Sequence, residues 1–561
     1  MSALIECVPN FSEGRDPEVI RRIAARIESV DGAALLHVDP GKATHRTVIT
    51  IAGAPEAVIE AAFRAIAEAA ELIDMRQHHG EHPRMGATDV CPLVPISGIT
   101  MEDTAQLARR LGDRVGRELG IPVYLYEAAQ PAPARRNLAV IRSGEYEGLE
   151  RKMADPAWKP DFGPASFNAR SGATVIGARD FLVAFNVNLN TTSTRRANAV
   201  AFDVREAGRP KREGHPLTGK VITDSTGQPV IIPGTLKAVK AIGWYIEEYG
   251  IAQVSMNLTD LSVTPVHAAF DEVCRAAEAR GLRVTGSELV GLVPLSALLE
   301  AGRHYLRKQR RSLGVSESEL IKIAVKSLGL DELAPFNPAE RIIEYRLRDT
   351  ARERLVGMTV RAFTDETASE STAPGGGSIS AAVGALGAAL GTMVANLSSH
   401  KRGWDDRWEE FSRWAEQGQR LKEDLLALVD EDTRAFEQVM AALGMPKTTP
   451  EEKTARSAAL AQANLGALMV PWQVMKTAYA SFDLLRAMAE TGNPASASDA
   501  GVGALCARLA VRGAWLNVRT NESGVKDKAA IASILAEGAV MEREAADREA
   551  EILAIVESKF A

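Results

Sequence analysis

The residue types best suited to acid–base chemistry in this chain cluster in a short polar segment, residues 81–89. It contains His82 and Arg84 and runs into an apolar stretch, residues 90–96, that predicts a β-strand. An imidazole titrates near neutral pH and therefore suits proton transfer. Pro83 disfavours a helix through the segment. We expect a loop between a helix and a strand, where catalytic groups are often held.

A metal site is the alternative use of these histidines. His78 and His82 are four residues apart, a spacing that points two ligands at one metal on a helix. Gly80 and Pro83 interrupt that helix, and the sequence offers no obvious third ligand. We therefore predict that the protein uses no metal, and keep a metal-dependent amidohydrolase as a rival to be tested by metal analysis.

Two aspartates are further candidates for chemistry. Asp39 ends a predicted strand, where a carboxylate either caps its own turn or orients a catalytic imidazole. Asp432 lies three residues after Val429 and four before Phe436 in a predicted amphipathic helix, at the edge of the apolar stripe. Acidic residues there usually face solvent. Partial burial would instead raise the pKa of Asp432 toward the range that proton transfer at neutral pH requires.

A glycine run precedes a long stretch of small residues. Glycines allow a ligand to approach the backbone closely and leave N–H groups free to contact it. The run consists of Gly375, Gly376, Gly377 and Ser378. The stretch that follows, residues 379–397, is long and apolar enough for a membrane helix. Its scattered polar residues and the absence of a second such segment favour a core helix or a dimer interface, so we predict no membrane association.

The order of predicted elements divides the chain into an α/β part and a helical part. Residues 3–96 predict the order β-α-β-β-α-β, a sandwich of helices on a mixed sheet, with the second helix ending near Met75. A third helix and a strand follow to residue 126. A second α/β unit begins near residue 181 and carries a predicted hairpin insertion at 210–235. Alanine and leucine at helical spacing then predict helices at 379–397, 404–444, 451–490, 496–520 and 526–558.

The predicted fold class is therefore α+β and multidomain: two α/β sandwich subdomains with mixed sheets, followed by an all-α helical domain. The predicted subdomains cover residues 1–180 and 181–345, a linker covers 346–360, and the helical domain covers 361–561.

Composition excludes several function classes. With 46% hydrophobic residues, 25% charged residues and a net charge of −7, the chain is typical of globular proteins and unlike a general nucleic-acid binder. Its four cysteines form no CxxC pair, which indicates thiols in a reducing compartment. The first residues lack the basic and apolar regions of a signal peptide. We expect a cytoplasmic protein.

Several motifs resemble the bifunctional formiminotransferase-cyclodeaminase family over essentially the whole chain. The segments similar to the formiminotransferase half are 7–14, 80–95, 161–164 and 291–294. Residues 335–345 resemble the junction of the two halves, and residues 373–378 and 429–436 resemble the cyclodeaminase half. The insertion at 210–235 departs from the vertebrate type and puts surface and assembly contacts in doubt more than chemistry.

The resemblance implies two reactions of histidine degradation. The first transfers the formimino group of N-formimino-L-glutamate to N5 of tetrahydrofolate. The second cyclises 5-formiminotetrahydrofolate to 5,10-methenyltetrahydrofolate and releases ammonia. His82 matches the catalytic histidine, Asp39 and Arg84 match positions near it, and Asp432 matches the cyclodeaminase acid. The implied folate-contacting loop comprises Gly163, Pro164, Ala165, Ser166, Phe167, Asn168, Ala169, Arg170, Ser171 and Gly172.

The implied co-substrate is tetrahydrofolate, in a polyglutamylated form. Arg84 is a candidate for binding a substrate carboxylate, and the glycine run could let the pterin approach the backbone. Lys401 and Arg402 could hold the anionic glutamate tail, which would keep the intermediate tethered between the two sites. The family also implies a ring-like homo-oligomer. A folate-binding protein that has lost one or both activities remains the alternative.

Overall fold

The architecture is described by a computed structural model that covers residues 3–42, 45–79, 83–214, 219–347 and 354–560. His82, the predicted catalytic histidine, lies outside these ranges. The chain divides into two compact units, one comprising residues 1–301 and 324–348 and the other residues 302–323 and 349–561. The described part of the first unit contains two main sheets and that of the second is helical, which confirms the predicted fold class. The domain boundaries at 180, 345 and 360 remain predictions.

A mixed sheet of seven strands organises the described part of residues 3–178. Its strands are Leu4–Cys7 (β1), Asn10–Phe11 (β2), Ala33–Gly41 (β3), Arg46–Gly53 (β4), Thr88–Ser97 (β5), Val123–Glu127 (β6) and Thr174–Ala178 (β7). β3 pairs with β4, and β1 and β2 follow one another between β4 and β5. β7 lies between β5 and β6 and is parallel to both, whereas the other pairs are antiparallel.

Three helices pack against this sheet: Pro17–Glu28 (α1), Pro55–Leu72 (α2) and Met101–Glu118 (α3). Their N-termini follow the sequence signals. The carboxylate of Asp16 caps α1, and Thr100 and Asp103 form a reciprocal capping box at α3. α2 ends at Leu72, three residues before the predicted Met75. The core between helices and sheet includes Ile5, Ile27, Ile51, Ile66, Leu93 and Leu111.

The sequence does not predict β7, because residues 127–180 are rich in loop formers. This region instead holds two short helices, Leu138–Arg142 (α4) and Glu145–Met153 (α5), as well as β7. All five residues of β7 are buried. A strand buried on both faces between parallel neighbours shows no alternation of polar and apolar residues. The pattern that would have identified it is therefore absent.

A four-stranded antiparallel sheet forms the second half of the first unit. Mixed parallel and antiparallel pairing, which was predicted for both subdomains, is therefore found in the first sheet. In chain order, the first elements of this half are Val183–Leu189 (β8), Thr194–Val204 (α6), Arg209–Pro210 (β9), Ile231–Ile232 (β10) and Val239–Ile246 (β11). Ile251–Leu258 (β12), Val266–Glu278 (α7) and Val284–Val290 (β13) follow. The order in the sheet is β11-β12-β8-β13, and β9 and β10 pair within the predicted insertion. β11 was not predicted from the sequence, although buried Val239 and Ala241 alternate with exposed Lys240 and Ile242.

The remaining helices complete the described chain. Four helices follow the second sheet along the chain: Leu295–Lys308 (α8), Glu317–Leu328 (α9), Pro338–Arg341 (α10) and Ile343–Arg346 (α11). The helical part comprises Val360–Thr367 (α12), Gly376–Ser399 (α13), Trp408–Gly444 (α14), Pro450–Thr491 (α15), Ala497–Glu522 (α16) and Lys528–Glu557 (α17). The five long helices match the predicted ranges to within a few residues.

α13 is the central helix of the second unit and packs against α14, α15 and α16. Its glycines permit close approach: a Cβ on Gly387 would lie 2.9 Å from the carbonyl oxygen of Gly503. By length and composition alone α13 could cross a membrane, but 61% of its apolar stretch is buried within the protein. That burial is typical of a core helix, which is the alternative favoured by the sequence.

Candidate functional site

The turn before β5 is held by a buried carboxylate. Asp89 is 1% exposed, and its Oδ1 accepts a hydrogen bond from the backbone N–H of Met85 at 3.0 Å. Two arginines contact the same carboxylate: Nε of Arg142 lies 3.3 Å from Oδ1, and Nη1 of Arg46 lies 3.4 Å from Oδ2. Burial lowers the pKa of Arg46 to about 10, although the Asp89 charge acts in the opposite direction. Asp89 therefore fixes the backbone of the turn between Met85 and β5.

Arg84 lies in this turn with its guanidinium already engaged. Its Nη2 and Nη1 donate to the two carboxylate oxygens of Glu147 at 2.6 and 2.9 Å, and Nη1 also lies 3.2 Å from Glu145. The Arg84 side chain is 7% exposed, whereas that of Glu147 is 60% exposed. These residues line an open cavity of about 410 Å³ together with His79 and Gly144. The predicted binding of a substrate carboxylate would therefore require Glu147 to be displaced from the same two donors.

His78 is a neutral histidine within the network. Its Nδ1 accepts from Nε of Arg84 at 3.3 Å, so Nε2 carries the proton and donates to the carbonyl oxygen of His45 at 2.9 Å. Burial lowers the pKa of His78, with the nearby charges of His45 and Arg84 acting in the same direction. Because both ring nitrogens are engaged, His78 is not free to bind a metal in this arrangement. That weakens the amidohydrolase alternative, whose other ligand, His82, lies outside the described residues.

His45 is a functional candidate that the sequence analysis did not assign. Its ring stacks on that of His78 with centroids 4.3 Å apart. Its Nδ1 lies 3.0 Å from the carbonyl oxygen of His79, and its Nε2 lies 3.1 Å from Oε1 of Glu13. Both partners are oxygen atoms, one from a backbone carbonyl and one from a carboxylate, so both ring nitrogens of His45 have a hydrogen-bond partner. The residue has φ +51°, a left-handed conformation that is uncommon outside glycine and tends to occur at functional sites.

Glu13 completes this pair from the other side. Burial acts to raise its pKa, but hydrogen bonds from the backbone N–H groups of Asp16 and Arg15 and the charge of His45 outweigh it, so the pKa is lowered. An ionised carboxylate therefore faces His45. The motif at residues 7–14 contains Glu13 and is visible in the sequence. The pairing is not, because His45 lies 32 residues away from Glu13.

The predicted folate loop, residues 163–172, packs beside this network. Asn168 organises it, since its Oδ1 accepts from the N–H groups of Arg170 and Ser171. The N–H of Gly172 donates to the carbonyl of Asn168, and the N–H of Ala173 donates to that of Met85. Residues 163–166 and 169–170 are exposed. The structure thus places an exposed loop against the turn that carries Arg84, and its contact with folate remains a prediction.

Asp39 lies within β3, which continues two residues beyond it to Gly41. It pairs with Val48 of β4 in the sheet, and its side chain is exposed. Asp39 is therefore a strand residue at the surface rather than the last residue of its strand. Its predicted partner, His82, is not described, so its orienting role remains a prediction.

The second candidate site forms where α13 begins beside α14. Oγ of Ser378 donates to Oδ2 of Asp432 at 2.9 Å. A Cβ on Gly377 would lie only 2.2 Å from Oδ1 of Asp432. The missing side chain therefore provides the room that the carboxylate occupies. The glycine run and Asp432, which are more than 50 residues apart in sequence, come together in the fold.

The environment of Asp432 favours its protonated form. Burial raises the pKa of Asp432 above its usual value, and the hydrogen bonds from Ser378 only partly offset this effect. A carboxyl group whose pKa is shifted toward neutrality can accept and return a proton near physiological pH. Asp432 is therefore partly buried with a raised pKa, which is the alternative that the sequence left open beside a solvent-facing acid.

Asp432 borders a cavity of about 460 Å³ whose other polar side chains were not predicted. Three of them are carboxamides: Asn464 from α15 and Asn517 and Asn521 from α16. Phe436 and Val439 of α14 contribute an apolar wall. Gly375, Gly376 and Gly377 line the cavity as well. No local sequence pattern marks the three asparagines, because they come from separate turns of two long helices and meet only in the folded unit.

Lys401 and Arg402 lie at the other end of α13. The helix runs 24 residues from Gly376 to Ser399, a length of roughly 36 Å at 1.5 Å per residue. Nζ of Lys401 lies 4.1 Å from the centre of the Trp404 ring. A folate tail bound by this pair would have to span that distance from the glycine run in the same copy. Its binding there stays a prediction.

Comparisons with known proteins match three family descriptions to three parts of the chain. The family described as "Formiminotransferase domain, N-terminal subdomain" matches residues 4–179, "Formiminotransferase domain" matches residues 184–348, and "Formiminotransferase-cyclodeaminase" matches residues 359–539. These matches place the chain in the class of folate-linked transferases that carry a helical cyclodeaminase unit.

The relatives extend the match across the chain. Formimidoyltransferase-cyclodeaminase of Rattus norvegicus is 44% identical over 528 residues, which is 94% of each chain. The chain belongs to the formimidoyltransferase-cyclodeaminase family. It is also similar to glutamate formimidoyltransferase of Streptococcus pyogenes serotype M1, with 39% identity over 55% of this chain and 94% of the relative. Methenyltetrahydrofolate cyclohydrolase of Methylorubrum extorquens is 39% identical over 30% of this chain and 82% of the relative.

Proposed function

We propose that this chain is a bifunctional enzyme of folate one-carbon chemistry. It transfers the formimino group from N-formimino-L-glutamate to N5 of tetrahydrofolate and then cyclises the product to 5,10-methenyltetrahydrofolate with release of ammonia. The observation that carries the proposal is the 44% identity to a formimidoyltransferase-cyclodeaminase over 94% of both chains. The match is long enough to include both candidate sites, so neither activity rests on half of the chain alone.

In the first reaction N5 of tetrahydrofolate attacks the formimino carbon. His82 accepts the proton from N5 and returns it to the departing glutamate nitrogen, and Asp39 orients the imidazole. Arg84 binds a carboxylate of formiminoglutamate through the two donors that Glu147 occupies in the structure. The cavity beside Arg84 and the adjacent loop 163–172 support this placement of the substrates.

In the second reaction N10 attacks the amidine carbon of 5-formiminotetrahydrofolate. The ionised Asp432 takes the proton from N10 and delivers it to the nitrogen that leaves as ammonia. The raised pKa of Asp432 supports both halves of this transfer, because it makes the carboxylate a stronger base for the N10 proton and leaves more of the group protonated at neutral pH than an ordinary aspartate would be. The backbone of the glycine run lies open to the same cavity and suits contact with the flat pterin.

The finer features of this function are also proposals. Tetrahydrofolate is used in a polyglutamylated form, with Lys401 and Arg402 as the candidates to hold its tail, and the tethered intermediate passes from one site to the other. An added trapping enzyme that captured all of the free intermediate during turnover would disprove that transfer. We place the enzyme in the cytoplasm, in histidine degradation.

We further propose a homo-oligomer, in the ring form that the family resemblance implies. An apolar surface on the second unit supports contact with another copy of the chain. It consists of six side chains on α13 and α16, each between 46% and 62% exposed: Leu386, Leu397, Val502, Leu505, Leu509 and Leu516. Light scattering of the purified protein measures the number of copies.

A coupled assay tests the proposed function. Formiminoglutamate and tetrahydrofolate are supplied to the purified protein, and the absorbance of methenyltetrahydrofolate and the release of ammonia are followed together. Both products are expected. Binding of folate without either product would instead identify a folate-binding protein that has lost its activities. The same assay after chelator treatment, with metal analysis of the protein, tests the metal-dependent alternative.

A further inference from the structure

The polar side chains of the Asp432 cavity are arranged to accept hydrogen bonds. Nδ2 of Asn517 donates to the carbonyl of Gly513 at 2.9 Å, and Nδ2 of Asn521 donates to that of Ala467 at 2.7 Å. Nδ2 of Asn464 donates to the carbonyl of Gly524 at 3.0 Å. A backbone carbonyl can only accept, so these bonds fix which atom of each carboxamide is nitrogen and which is oxygen.

The three Oδ1 atoms remain available. Within the described ranges, none of them accepts a hydrogen bond from the protein, although their residues line the cavity. The hydroxyls of Thr520 and Ser523, which line the same cavity, donate to backbone carbonyls: Thr520 to that of Leu516 and Ser523 to that of Thr520. Asp432 is the charged residue among the described side chains that line the cavity. This wall therefore suits a ligand that is cationic and rich in N–H donors.

The carboxamide of Asn517 and the carboxylate of Asp432 lie on either side of the first turn of α13. A Cβ on Gly376 would lie 3.3 Å from Nδ2 and 3.7 Å from Oδ1 of Asn517, whereas a Cβ on Gly377 would lie 2.2 Å from Oδ1 of Asp432. Consecutive Cα atoms are only about 3.8 Å apart. A group that contacts the start of α13 can therefore meet Asn517 on one side and Asp432 on the other.

We propose that Asn517, supported by Asn464 and Asn521, recognises the terminal nitrogen of the formimino group and so selects it over a formyl group. The inference rests on the cyclisation proposed above. An amidine is a strong base and is protonated at neutral pH, so its terminal nitrogen presents two N–H donors and positive charge. The oxygen of a formyl group at the same place can only accept, and it would face Oδ1 with no proton between them.

The same contact serves the departure of ammonia. In the protonated substrate N10 forms a bond to the amidine carbon, and the C=N π electrons move onto the terminal nitrogen. Asp432 takes the proton from N10 and gives it to that nitrogen. The C–N bond then breaks, ammonia leaves with the bonding pair, and a lone pair on N5 or N10 forms the methenyl cation. Oδ1 of Asn517 accepts an N–H of this nitrogen throughout, so it holds the leaving group beside the proton carrier.

The first test uses the full-length Asn517→Leu variant with chemically prepared 5-formiminotetrahydrofolate as substrate and 5-formyltetrahydrofolate as inhibitor. We expect kcat/KM for cyclisation to fall about 10- to 100-fold, the effect of losing a hydrogen bond to a charged group. The inhibition constant of 5-formyltetrahydrofolate should stay within about twofold or tighten. Asn396→Leu is the matched control, because it also removes a carboxamide that donates to a backbone carbonyl, on α13 but outside this cavity.

Equal losses in substrate turnover and formyl inhibitor binding would show a structural role and overturn the inference, as would unchanged kinetics. A second test does not depend on the folding of the Asn517 variant. In Asp432→Asn, whose slow cyclisation allows binding to be measured before turnover, the formimino compound should still bind at least about 10-fold more tightly than the formyl compound; equal affinity would overturn the inference. If the wild-type protein fails to cyclise the supplied substrate at all, the proposed function itself fails.

Discussion

The two candidate sites handle charge in opposite ways. In the first unit, ionic groups are paired with one another: Arg84 with Glu147, His45 with Glu13, and Asp89 with two arginines. In the second unit, the described cavity wall holds the carboxylate of Asp432, and its partner there is the hydroxyl of Ser378. Pairing keeps a charge fixed, whereas burial without a counter-ion shifts a pKa.

The difference matches the two proposed reactions. The first must bind an anionic amino acid from solution, and a buried arginine that exchanges one carboxylate for another can do so. The second rearranges a substrate that already contains both reacting nitrogens, and it chiefly needs a proton carrier. A charge-paired site is thus suited to recognition, and an isolated buried acid to proton transfer.

Replacing His82 should separate the two sites most completely. His82→Ala is expected to lower formimino transfer by about 10³-fold or more, within the usual range for loss of general acid–base catalysis. Cyclisation of supplied 5-formiminotetrahydrofolate should continue at the wild-type rate. His37→Ala, at an exposed position of β3, is the control. Loss of both activities in the folded His82 variant would contradict the assignment of two separate sites.

Asp432→Asn should have the reverse effect. Cyclisation is expected to fall by about 10³-fold while transfer continues, so 5-formiminotetrahydrofolate accumulates and is detected by chromatography. In the wild-type protein the base form of Asp432 is lost as pH falls through its raised pKa, so cyclisation should decline at a higher pH than an ordinary aspartate would give. Glu431→Gln, next to it and paired with Arg434 at the surface, should change neither activity.

Removing Glu147 tests whether charge pairing at Arg84 competes with the substrate. Glu147→Ala removes the carboxylate that occupies two donors of Arg84 and leaves the contact of Nη1 with Glu145, so the KM for formiminoglutamate should fall about three- to tenfold with little change in kcat. Glu150→Ala, on the same helix, should leave KM unchanged. An increase in KM for Glu147→Ala would show instead that Glu147 holds Arg84 in its binding position, and initial-rate kinetics distinguish the two results.

The smallest effect concerns a buried acid in the first unit. Burial raises the pKa of Glu6 to about 7 from its ordinary value of 4.5, against the attraction of Arg179. A raised folded-state pKa means that stability is highest when the group is protonated and falls as pH rises from about 4.5 to about 7. Glu6→Gln should therefore melt like the wild type at pH 4.5 and be more stable at pH 8, by on the order of 2–3 kcal/mol at most. Thermal melts at the two pH values measure the difference, and a destabilised variant at pH 8 would contradict it.

Local signals made much of the fold predictable. Asp16 and Pro17 mark the start of α1, Thr100 and Asp103 mark that of α3, and these interactions depend only on neighbours in sequence. The long helices of the second unit follow from their composition. β7 was not predictable in this way, because its burial depends on two parallel neighbours that approach from other parts of the chain.

The same difference between local and distant interactions decides which site residues could be predicted. Asp432 could be selected because its position at the edge of an apolar stripe and the motif around it are both local. Asn517 and Asn464 could not, since their role depends on where two helices meet and on which backbone carbonyl each amide faces. Likewise, the pairing of His45 with Glu13 requires the sheet that brings them together.

The space beside Gly377 has a practical consequence. This glycine has no left-handed backbone conformation, so an alanine there would introduce no backbone strain, and the atoms nearest to its methyl group would be those of the Asp432 carboxylate. Gly377→Ala, tens of residues from Asp432 in sequence, is thus a candidate substitution for stopping cyclisation while formimino transfer continues. Such a variant would serve as a preparative source of the unstable formimino intermediate, with the native carboxyl group still present.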